Sequence, residues 1–286
     1  MNSMERMEVK MGREENIQIF EDTEKLCKTN EKLKASVKNA TAGQKLIRET
    51  DIIPKQNRNL YEEPAKVTVS KKRSFEAAKG YKGLKTVVHN FASATTPGGG
   101  VVNGARAQEE CLCRCSGLYF SINTPEMWEG FYKPHRDAHD PIHNDDLIFT
   151  PGVTVFKTDT SNPVLMPEKD WYNVDVITCA APKLQGNGGN NPHRAVMKDK
   201  DLLALHEKRL RRILEAALSE GAEAIVLGAF GCGAFCNSPE VVARANKNVL
   251  EEYLHAFKHI EYAVYSNQKD ETNYRTFERV LRPLCK

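Results

Sequence analysis

The sequence predicts an α/β fold in which one mostly parallel sheet carries helices on both faces. From about residue 65 onward, short apolar segments rich in Val, Ile and Tyr alternate with longer helical segments. This alternation is typical of a sheet buried between two helical layers. Two glycine-rich loops, at 97–100 and 228–238, each follow a predicted strand. Ligands in such sheets bind outside the carboxyl ends of the strands, so both loops are expected to line one crevice.

The predicted elements alternate along the chain. The strands are predicted at 66–69, 85–91, 153–157, 174–178, 224–227 and 262–265. The helices are predicted at 74–79, 106–119, 200–219, 239–256 and 272–282. In the helix at 200–219, Leu202, Leu210 and Leu214 follow helical spacing, and Gly221 is a stop signal after it.

Residues 1–64 differ from the rest of the chain. Residues 14–27 predict an amphipathic helix, whereas 31–49 are polar and rich in Lys, with no clear pattern. The segment has too few apolar residues to form a core of its own. We therefore expect an accessory arm or cap at 1–64, packed on a catalytic core at 65–286.

Charge and hydropathy exclude several classes of protein. The 41 Lys and Arg residues against 38 Asp and Glu give a net charge of +3, so direct DNA binding is not expected. No apolar run reaches the roughly 18 residues of a membrane-spanning helix. Residues 1–8 lack the apolar core of a signal peptide, so the expected location is the cytoplasm.

The eight cysteines are interpreted as reduced thiols rather than as a metal site. Cys111, Cys113 and Cys115 alternate on a predicted helix and so do not share one face. Cys232 and Cys236 lie four residues apart in the second glycine-rich loop, where a zinc site with a histidine is the alternative. Partly buried free thiols are the more common state of intracellular cysteines. No metal is expected.

The first glycine-rich loop stands next to a pair of carboxylates. Gly98, Gly99 and Gly100 are followed, after the seven residues 101–107, by Gln108, Glu109 and Glu110. Glycines let the backbone approach a ligand closely, and a carboxyl group within reach of that ligand can act as a general acid and base. The alternative is that the acidic pair only complements the dipole at a helix N-terminus.

The second loop has the composition of a phosphate-binding turn. The run from Gly231 to Phe235 follows the predicted strand at 224–227 and precedes the helix predicted from 239. Successive backbone amides in such a loop, next to a helix N-terminus, attract a phosphate or a diphosphate. It lacks the Gly-Lys-Ser/Thr ending of a P-loop. A tight turn without a ligand is the alternative.

Together these motifs resemble those of the bacterial-type (microbial) poly(ADP-ribose) glycohydrolases. The signature of that family is three glycines followed, after a short gap, by Gln-Glu-Glu. In this chain it extends from the run at 90–94 through Gly98–Gly100 to Glu110, and on to Ser116 and Tyr119. Further similar segments, in the same order, lie at 151–156, 176–182 and 228–235, so that the resemblance covers about residues 14–284.

The resemblance implies a fold and a set of site residues. The fold is a macrodomain-like three-layer αβα sandwich, with a mixed, mostly parallel central sheet and an N-terminal accessory extension. Glu110 matches the catalytic glutamate, and Glu109 matches its neighbour, which helps to hold the ribose. The implied substrate-binding residues are Asn90, Gly98, Gly99, Gly100, Val101, Gln108, Gly231, Cys232, Gly233, Ala234, Phe235 and Asn267.

The implied reaction is hydrolysis of the O-glycosidic ribose–ribose bond from the ends of poly(ADP-ribose), with release of ADP-ribose. It needs no cofactor and no metal, and a monomer is expected. Three alternatives remain at this point. One is a hydrolase that removes single ADP-ribose units from protein or from a nucleobase. Another is a non-catalytic ADP-ribose-binding module. The last is a nucleic-acid-binding module, against which the near-neutral charge argues.

Overall fold

A mixed β-sheet runs through the centre of the protein. The computed structural model describes residues 12–186, 191–266 and 270–285. Within them the strands are β1 (Lys45–Ile47), β2 (Lys66–Ser70), β3 (Thr86–Ala92), β4 (Leu147–Val155), β5 (Tyr172–Ala180), β6 (Ala224–Leu227) and β7 (His259–Ala263). They lie in the order β1-β4-β5-β3-β6-β7-β2. The four neighbouring pairs from β5 to β2 are parallel, whereas β4 is antiparallel to both of its neighbours.

Helices cover both faces of this sheet. They are α1 (Arg13–Thr29), α2 (Glu31–Ala42), α3 (Ser74–Ala78), α4 (Gln108–Cys115), α5 (Leu118–Ile122), α6 (Pro125–Met127), α7 (Lys133–Ala138), α8 (Asp199–Ser219), α9 (Pro239–Leu250) and α10 (Thr272–Leu281). A wider π-helical turn, Trp128–Tyr132, joins α6 to α7. None of the helices described is long and apolar enough to cross a membrane.

The two apolar cores follow from the alternation of side chains along the central strands. Val87 belongs to the core under α8, α9 and α10, whereas its neighbour Val88 belongs to the core under α1, α3, α4 and α5. Ile177 and Val176 divide in the same way on β5. Because successive residues of a strand point to opposite faces, a strand buried on both faces must be apolar throughout. The predicted three-layer α/β fold is therefore confirmed.

Two predicted helices are too long. The helix predicted at 106–119 begins at Gln108 and ends at Cys115, and α5 follows as a separate element. The break occurs because Ser116 is extended (φ −149°) and forms a β-bridge with Val155. The helix predicted at 239–256 ends at Leu250, after which the chain continues in turns.

The N-terminal segment is more regular than its composition suggests. The predicted helix at 14–27 is present as α1, whereas the prediction gave no structure for 31–49, which forms α2 and β1. β1 extends the sheet by pairing with β4. The ring of Phe20 on α1 packs edge-on against Tyr119, with 4.9 Å between ring centroids. The segment therefore shares both the sheet and a core with the rest of the protein.

Helix α1 also supports the end of the first glycine-rich loop. The buried side chain of Asn16 donates a hydrogen bond from Nδ2 to the carbonyl of Gly104 (3.2 Å), and Arg13 Nε donates to the carbonyl of Asn103 (2.5 Å). Gly104 has a left-handed backbone (φ +72°), and a Cβ placed there would overlap the carbonyl oxygen of Arg13. The loop and α1 are thus packed backbone against backbone.

We expect Gly104→Ala to destabilise the protein by about 2–4 kcal/mol, because backbone strain adds to a steric clash that no rotamer can relieve. Gly221→Ala is the matched control, since Gly221 has a similar φ (+79°) but an added Cβ there would have no atom of the described part of the chain within 4 Å. Urea unfolding of both variants measures the difference. Equal losses of stability in the two variants would show that the contact with α1 contributes nothing.

Candidate active site

A cleft of about 310 Å³ opens at the carboxyl ends of the parallel strands. Phe91 at the end of β3 and Tyr265 after β7 lie on its walls, with Gln108 of α4 and the loop residues Gly233 and Phe235. Its position agrees with the general rule for open α/β sheets, and its size is near the lower end for small-molecule pockets. The second glycine-rich loop therefore lines this cleft as predicted, whereas Gly98–Gly100 of the first loop are not among its lining residues.

The two glutamates lie next to this cleft, in the first turn of α4. Glu110 is 7% exposed, and its Oε1 accepts a hydrogen bond from the backbone amide of Gly100 (2.9 Å). Its second oxygen, Oε2, is buried and has no hydrogen-bond partner among the described residues. Buried carboxylate oxygens normally have partners, so the lack of one marks this oxygen as the candidate to meet a ligand. The loop amide fixes one oxygen, while the other is enclosed without a partner among the described residues.

The glycine loop holds Glu110 so closely that it leaves no room for a side chain. Gly99 has φ +57°, and a Cβ added there would lie 2.5 Å from Glu110 Oε1 and 3.2 Å from Glu109 Oε2. Gly98 is also left-handed (φ +65°), and an added Cβ would lie 2.7 Å from the ring of Tyr119. Glycine is needed here for both reasons, backbone conformation and close approach.

Glu109 is held by the protein at both of its oxygens. Oε1 accepts from Asn90 Nδ2 (3.2 Å) and Oε2 accepts from the amide of Ser93 (2.7 Å). The pKa of Glu109 is raised to about 8, mainly by burial and also by the neighbouring charge of Glu110, while its hydrogen bonds oppose these effects. Asn90 also donates to Thr178 Oγ1 (3.2 Å), while its own Oδ1 is buried without a partner among the residues described.

The raised pKa of Glu109 predicts a pH-dependent effect of Glu109→Gln on stability. A folded-state pKa above the unfolded value contributes stability that is complete below about pH 4.5 and is lost as the pH rises through about 8. Gln cannot ionise, so the melting temperature of the variant should rise relative to wild type by several degrees between pH 5 and pH 9. Glu126→Gln, at an exposed position on α6, is the control. If the difference in melting temperature between Glu109→Gln and wild type stayed constant with pH, the pKa of Glu109 would not be raised in the folded protein.

Gln108 connects α4 to the neighbouring elements. Its Nε2 donates to Ser74 Oγ (3.0 Å) and to the carbonyl of His89 (2.8 Å), and its Oε1 accepts from the amide of Phe91 (2.9 Å). The residue lines the cleft, but both ends of its amide are already engaged within the protein. Its main effect is to fix the N-terminus of α4, and with it both glutamates, against the end of β3.

The second loop leaves three consecutive backbone amides unpaired between β6 and α9. The amides of Gly233, Ala234 and Phe235 donate no hydrogen bond to any described residue. Arg194 fastens this loop from outside, because Nη2 donates to the carbonyl of Ala234 (3.0 Å) and Nη1 to that of Leu184 (2.8 Å). Unpaired consecutive amides next to a helix N-terminus suit a phosphate or diphosphate.

The predicted site residues take different positions relative to the cleft. Its walls include Gln108, Gly231, Gly233, Ala234 and Phe235. The glutamates, Asn90 and Gly98–Gly100 form a hydrogen-bonded and packed group beside it. Val101 is fully buried in the core behind the loop, and Cys232 is half-buried, with its Sγ donating to the carbonyl of Phe230 (3.7 Å). Asn267 lies outside the described residues.

Several residues of the cleft were missed by the prediction, among them two aromatic residues and an arginine. Phe91 and Tyr265 line the cleft, and the guanidinium of Arg73 lies 3.9 Å from the ring centroid of Tyr265. Phe91 and Tyr265 could have been predicted from their positions. Each is an aromatic residue at or just after the carboxyl end of a strand, and such a residue lies on the side of the sheet where ligands bind. Phe230, in the second loop, is buried in the core and also lines the cleft.

Comparison with known proteins agrees with this geometry. The family model for the microbial-type PARG catalytic domain matches residues 13–158. The poly(ADP-ribose) glycohydrolase (PARG) of Thermomonospora curvata is 29% identical, with a TM-score of 0.81, over 93% of this chain and 99% of that chain. The enzyme of Deinococcus radiodurans in complex with ADP-ribose is 32% identical, with a TM-score of 0.74, over 87% and 98% of the two chains.

A third solved structure, the T. curvata enzyme bound to the inhibitor ADP-HPD, is similar at 29% identity over the same shares of the two chains, with a TM-score of 0.77. No curated protein matches the chain significantly. The family model covers half of the chain, including both the glycine loop and the glutamate pair. The chain therefore belongs to the microbial-type poly(ADP-ribose) glycohydrolases.

Proposed function

We propose that this protein hydrolyses the ribose–ribose bonds of poly(ADP-ribose) and releases ADP-ribose, with Glu110 as the catalytic residue. The main support for the proposal is that the two oxygens of the Glu110 carboxyl group have different surroundings. One oxygen is fixed by the amide of Gly100, and the other is buried without a partner among the described residues. A positioned carboxyl group with one open oxygen is suited to proton transfer at a bound glycosidic bond.

The residues that line the cleft offer contacts for the rest of the terminal ADP-ribose unit. The diphosphate would accept hydrogen bonds from the free amides of Gly233, Ala234 and Phe235. The adenosine would extend towards Phe91 and Tyr265 on the cleft walls. The distal ribose would then lie near Phe235 and the glycine loop, with its anomeric carbon at Glu110. The ADP-ribose complex of the Deinococcus enzyme supports this choice of ligand.

The reaction follows from that placement. Acting as the general acid, the Glu110 carboxyl group gives a proton to the glycosidic oxygen, the C–O bond breaks, and the hydroxyl of the next ribose leaves. The cation at the anomeric carbon is stabilised by the negative diphosphate nearby. Water then attacks that carbon while the Glu110 carboxylate takes a proton from it, which restores the acid. Glu109 holds Asn90 and the amide of Ser93 in place, and Asn90 Oδ1 remains open to a ribose hydroxyl.

A hydrolase for single ADP-ribose units is the second candidate function. The same open oxygen of Glu110 would serve it, because the terminal unit would bind in the same cleft. We favour poly(ADP-ribose) because the family and both bacterial relatives carry that activity in their names. Attack from chain ends, rather than within the chain, follows from the resemblance to the bacterial family.

The test compares two substrates at equal concentrations of ADP-ribose units. Purified protein is incubated with poly(ADP-ribose) and with a mono-ADP-ribosylated protein, and the products are separated by chromatography at early times. We expect ADP-ribose from the polymer as the first product, without intermediate oligomers. Release only from the mono-modified protein would establish the second function, and binding without release from either would indicate a reader.

We further propose that the enzyme acts as a monomer in a reducing compartment such as the cytoplasm. All eight cysteines lie in the described residues and all are free thiols, which suits such a compartment. Residues 1–64 are proposed to serve as an accessory arm of the catalytic core at 65–286. The contacts of Arg13 and Asn16 with the end of the glycine loop support that role.

A further inference from the structure

Arg136 is an exposed cation held in a fixed position near the glycine loop. It lies on α7, and its Nη2 donates to the carbonyl of Thr95 (2.8 Å). Its guanidinium lies 4.9 Å from the ring centroid of Trp128, within the range of a cation–π contact. No carboxylate among the described residues forms an ion pair with Arg136, whereas Lys133 on the same helix pairs with Glu129 (3.0 Å). Arg136 is thus ordered without its charge being neutralised.

The support beneath Arg136 is continuous with the catalytic loop. Trp128 Nε1 donates to Asn123 Oδ1 (2.8 Å), and Asn123 Nδ2 donates to the hydroxyl of Tyr119 (3.0 Å). The ring of Tyr119 packs directly against Gly98. On the other side, Thr95 precedes Thr96, whose carbonyl accepts from the amide of Gly99 (3.0 Å). Arg136 is therefore anchored twice to the loop that encloses Glu110.

This position lies outside the cleft for the terminal ADP-ribose unit. Thr95, Trp128 and Arg136 are all described residues, and none of them lines the cleft. Arg136 contacts the segment before the glycine loop from α7, whereas the lining of the cleft includes residues at 73–74, 91–92, 106–108 and 111–112 and the second loop. The scissile bond at Glu110 would separate the two regions, with the unit that is released on the cleft side.

The chemistry of the polymer defines what must lie beyond that bond. The hydroxyl that leaves belongs to a ribose that also carries the diphosphate of the next ADP-ribose unit. A guanidinium has five N–H donors in a planar fork, of which one is used here, and it matches phosphate oxygens well. We propose, building on the function proposed above, that Arg136 binds the diphosphate of this second unit and thereby favours polymer over single ADP-ribose units. Trp128 and Thr95 position its guanidinium.

The test distinguishes an effect on binding of the second ADP-ribose unit from an effect on binding of the terminal unit. Arg136→Ala should lower kcat/KM for poly(ADP-ribose) about five- to tenfold, the size expected for a charge-assisted hydrogen bond near the surface. Affinity for free ADP-ribose should not change, because that ligand fills only the cleft. Added salt should reduce the activity of wild type more than that of the variant, since screening removes an attraction the variant lacks. Arg136→Lys should recover part of the loss.

Lys133→Ala is the matched control, because it removes the same charge from the same helix and should leave polymer turnover unchanged. An unchanged kcat/KM in Arg136→Ala would overturn the proposal. An equal fall in ADP-ribose affinity would also overturn it, since Arg136 would then only hold the loop. If wild type releases no ADP-ribose, the proposed function fails instead. The inference is then tested by the affinity of a short polymer relative to ADP-ribose, which Arg136→Ala should lower.

Discussion

Replacing Glu110 by Gln is expected to reduce ADP-ribose release from poly(ADP-ribose) on the order of 10²–10⁴-fold, the usual contribution of general acid–base catalysis. Gln keeps an oxygen that can accept from the amide of Gly100, so the loop should stay in place. It cannot give or take the proton at the position of Oε2, which is the open oxygen in the structure. The measurement is the initial rate at saturating polymer, with ADP-ribose affinity determined in parallel.

The affinity for ADP-ribose distinguishes chemistry from binding in this variant. A loss confined to kcat is expected, because the substitution removes an interaction that matters in the transition state. Glu110→Asp retains the carboxyl group but withdraws it from the bond, so it should also be strongly impaired. Near-normal turnover by Glu110→Gln would show that another group supplies the proton.

Substituting Gly99 by Ala is expected to reduce activity by about 100-fold or more, because displacing a catalytic group by about 1 Å has effects of this size. The new Cβ would lie 2.5 Å from Glu110 Oε1, so either the loop or the carboxyl group must move. The left-handed backbone of Gly99 adds strain of about 1 kcal/mol or more. The rate of polymer hydrolysis and the melting temperature should both be measured.

Gly152→Ala is the matched control for Gly99→Ala. Gly152 lies in β4 with a similar φ of +61°, and an added Cβ there meets no atom of a described residue within 4 Å. Gly152→Ala should show a comparable fall in melting temperature from backbone strain but should keep its activity. If both variants were equally active, the close approach of Gly99 to Glu110 would have no catalytic significance. If both were equally inactive, the loss would reflect strain alone.

Most of the sheet could be predicted because its strands are buried on both faces. Runs such as Val87–Val88 and Ile225–Val226 are apolar without interruption, and only central strands show this pattern. β1 was missed because its three residues are half-exposed and gain their structure from pairing with β4. The end of α4 at Cys115 was missed for a similar reason, since the bridge of Ser116 to Val155 is a tertiary contact.

The candidate site was predictable where glycine and carboxylate spacing carries the chemistry. Gly99 and Glu110 are eleven positions apart in the sequence and in contact in the structure, as the motif implies. The different hydrogen bonding of Glu109 and Glu110 was not predictable from the sequence, because it depends on which donors of the folded protein reach each carboxylate oxygen. The motif also did not predict the roles of Tyr265 and Arg136, since their positions follow from how β7 and α7 pack around the cleft and the loop.

The most direct test of the account is the structure of the protein with ADP-ribose bound. We predict that the anomeric carbon of the distal ribose lies within about 3.5 Å of the Glu110 carboxyl group, as a reactive arrangement requires. The diphosphate should accept hydrogen bonds from the amides of Gly233 to Phe235, and the adenine should lie towards Tyr265. A complex with the adenine at Glu110, or with the distal ribose out of reach of that carboxyl group, would contradict the proposed mechanism.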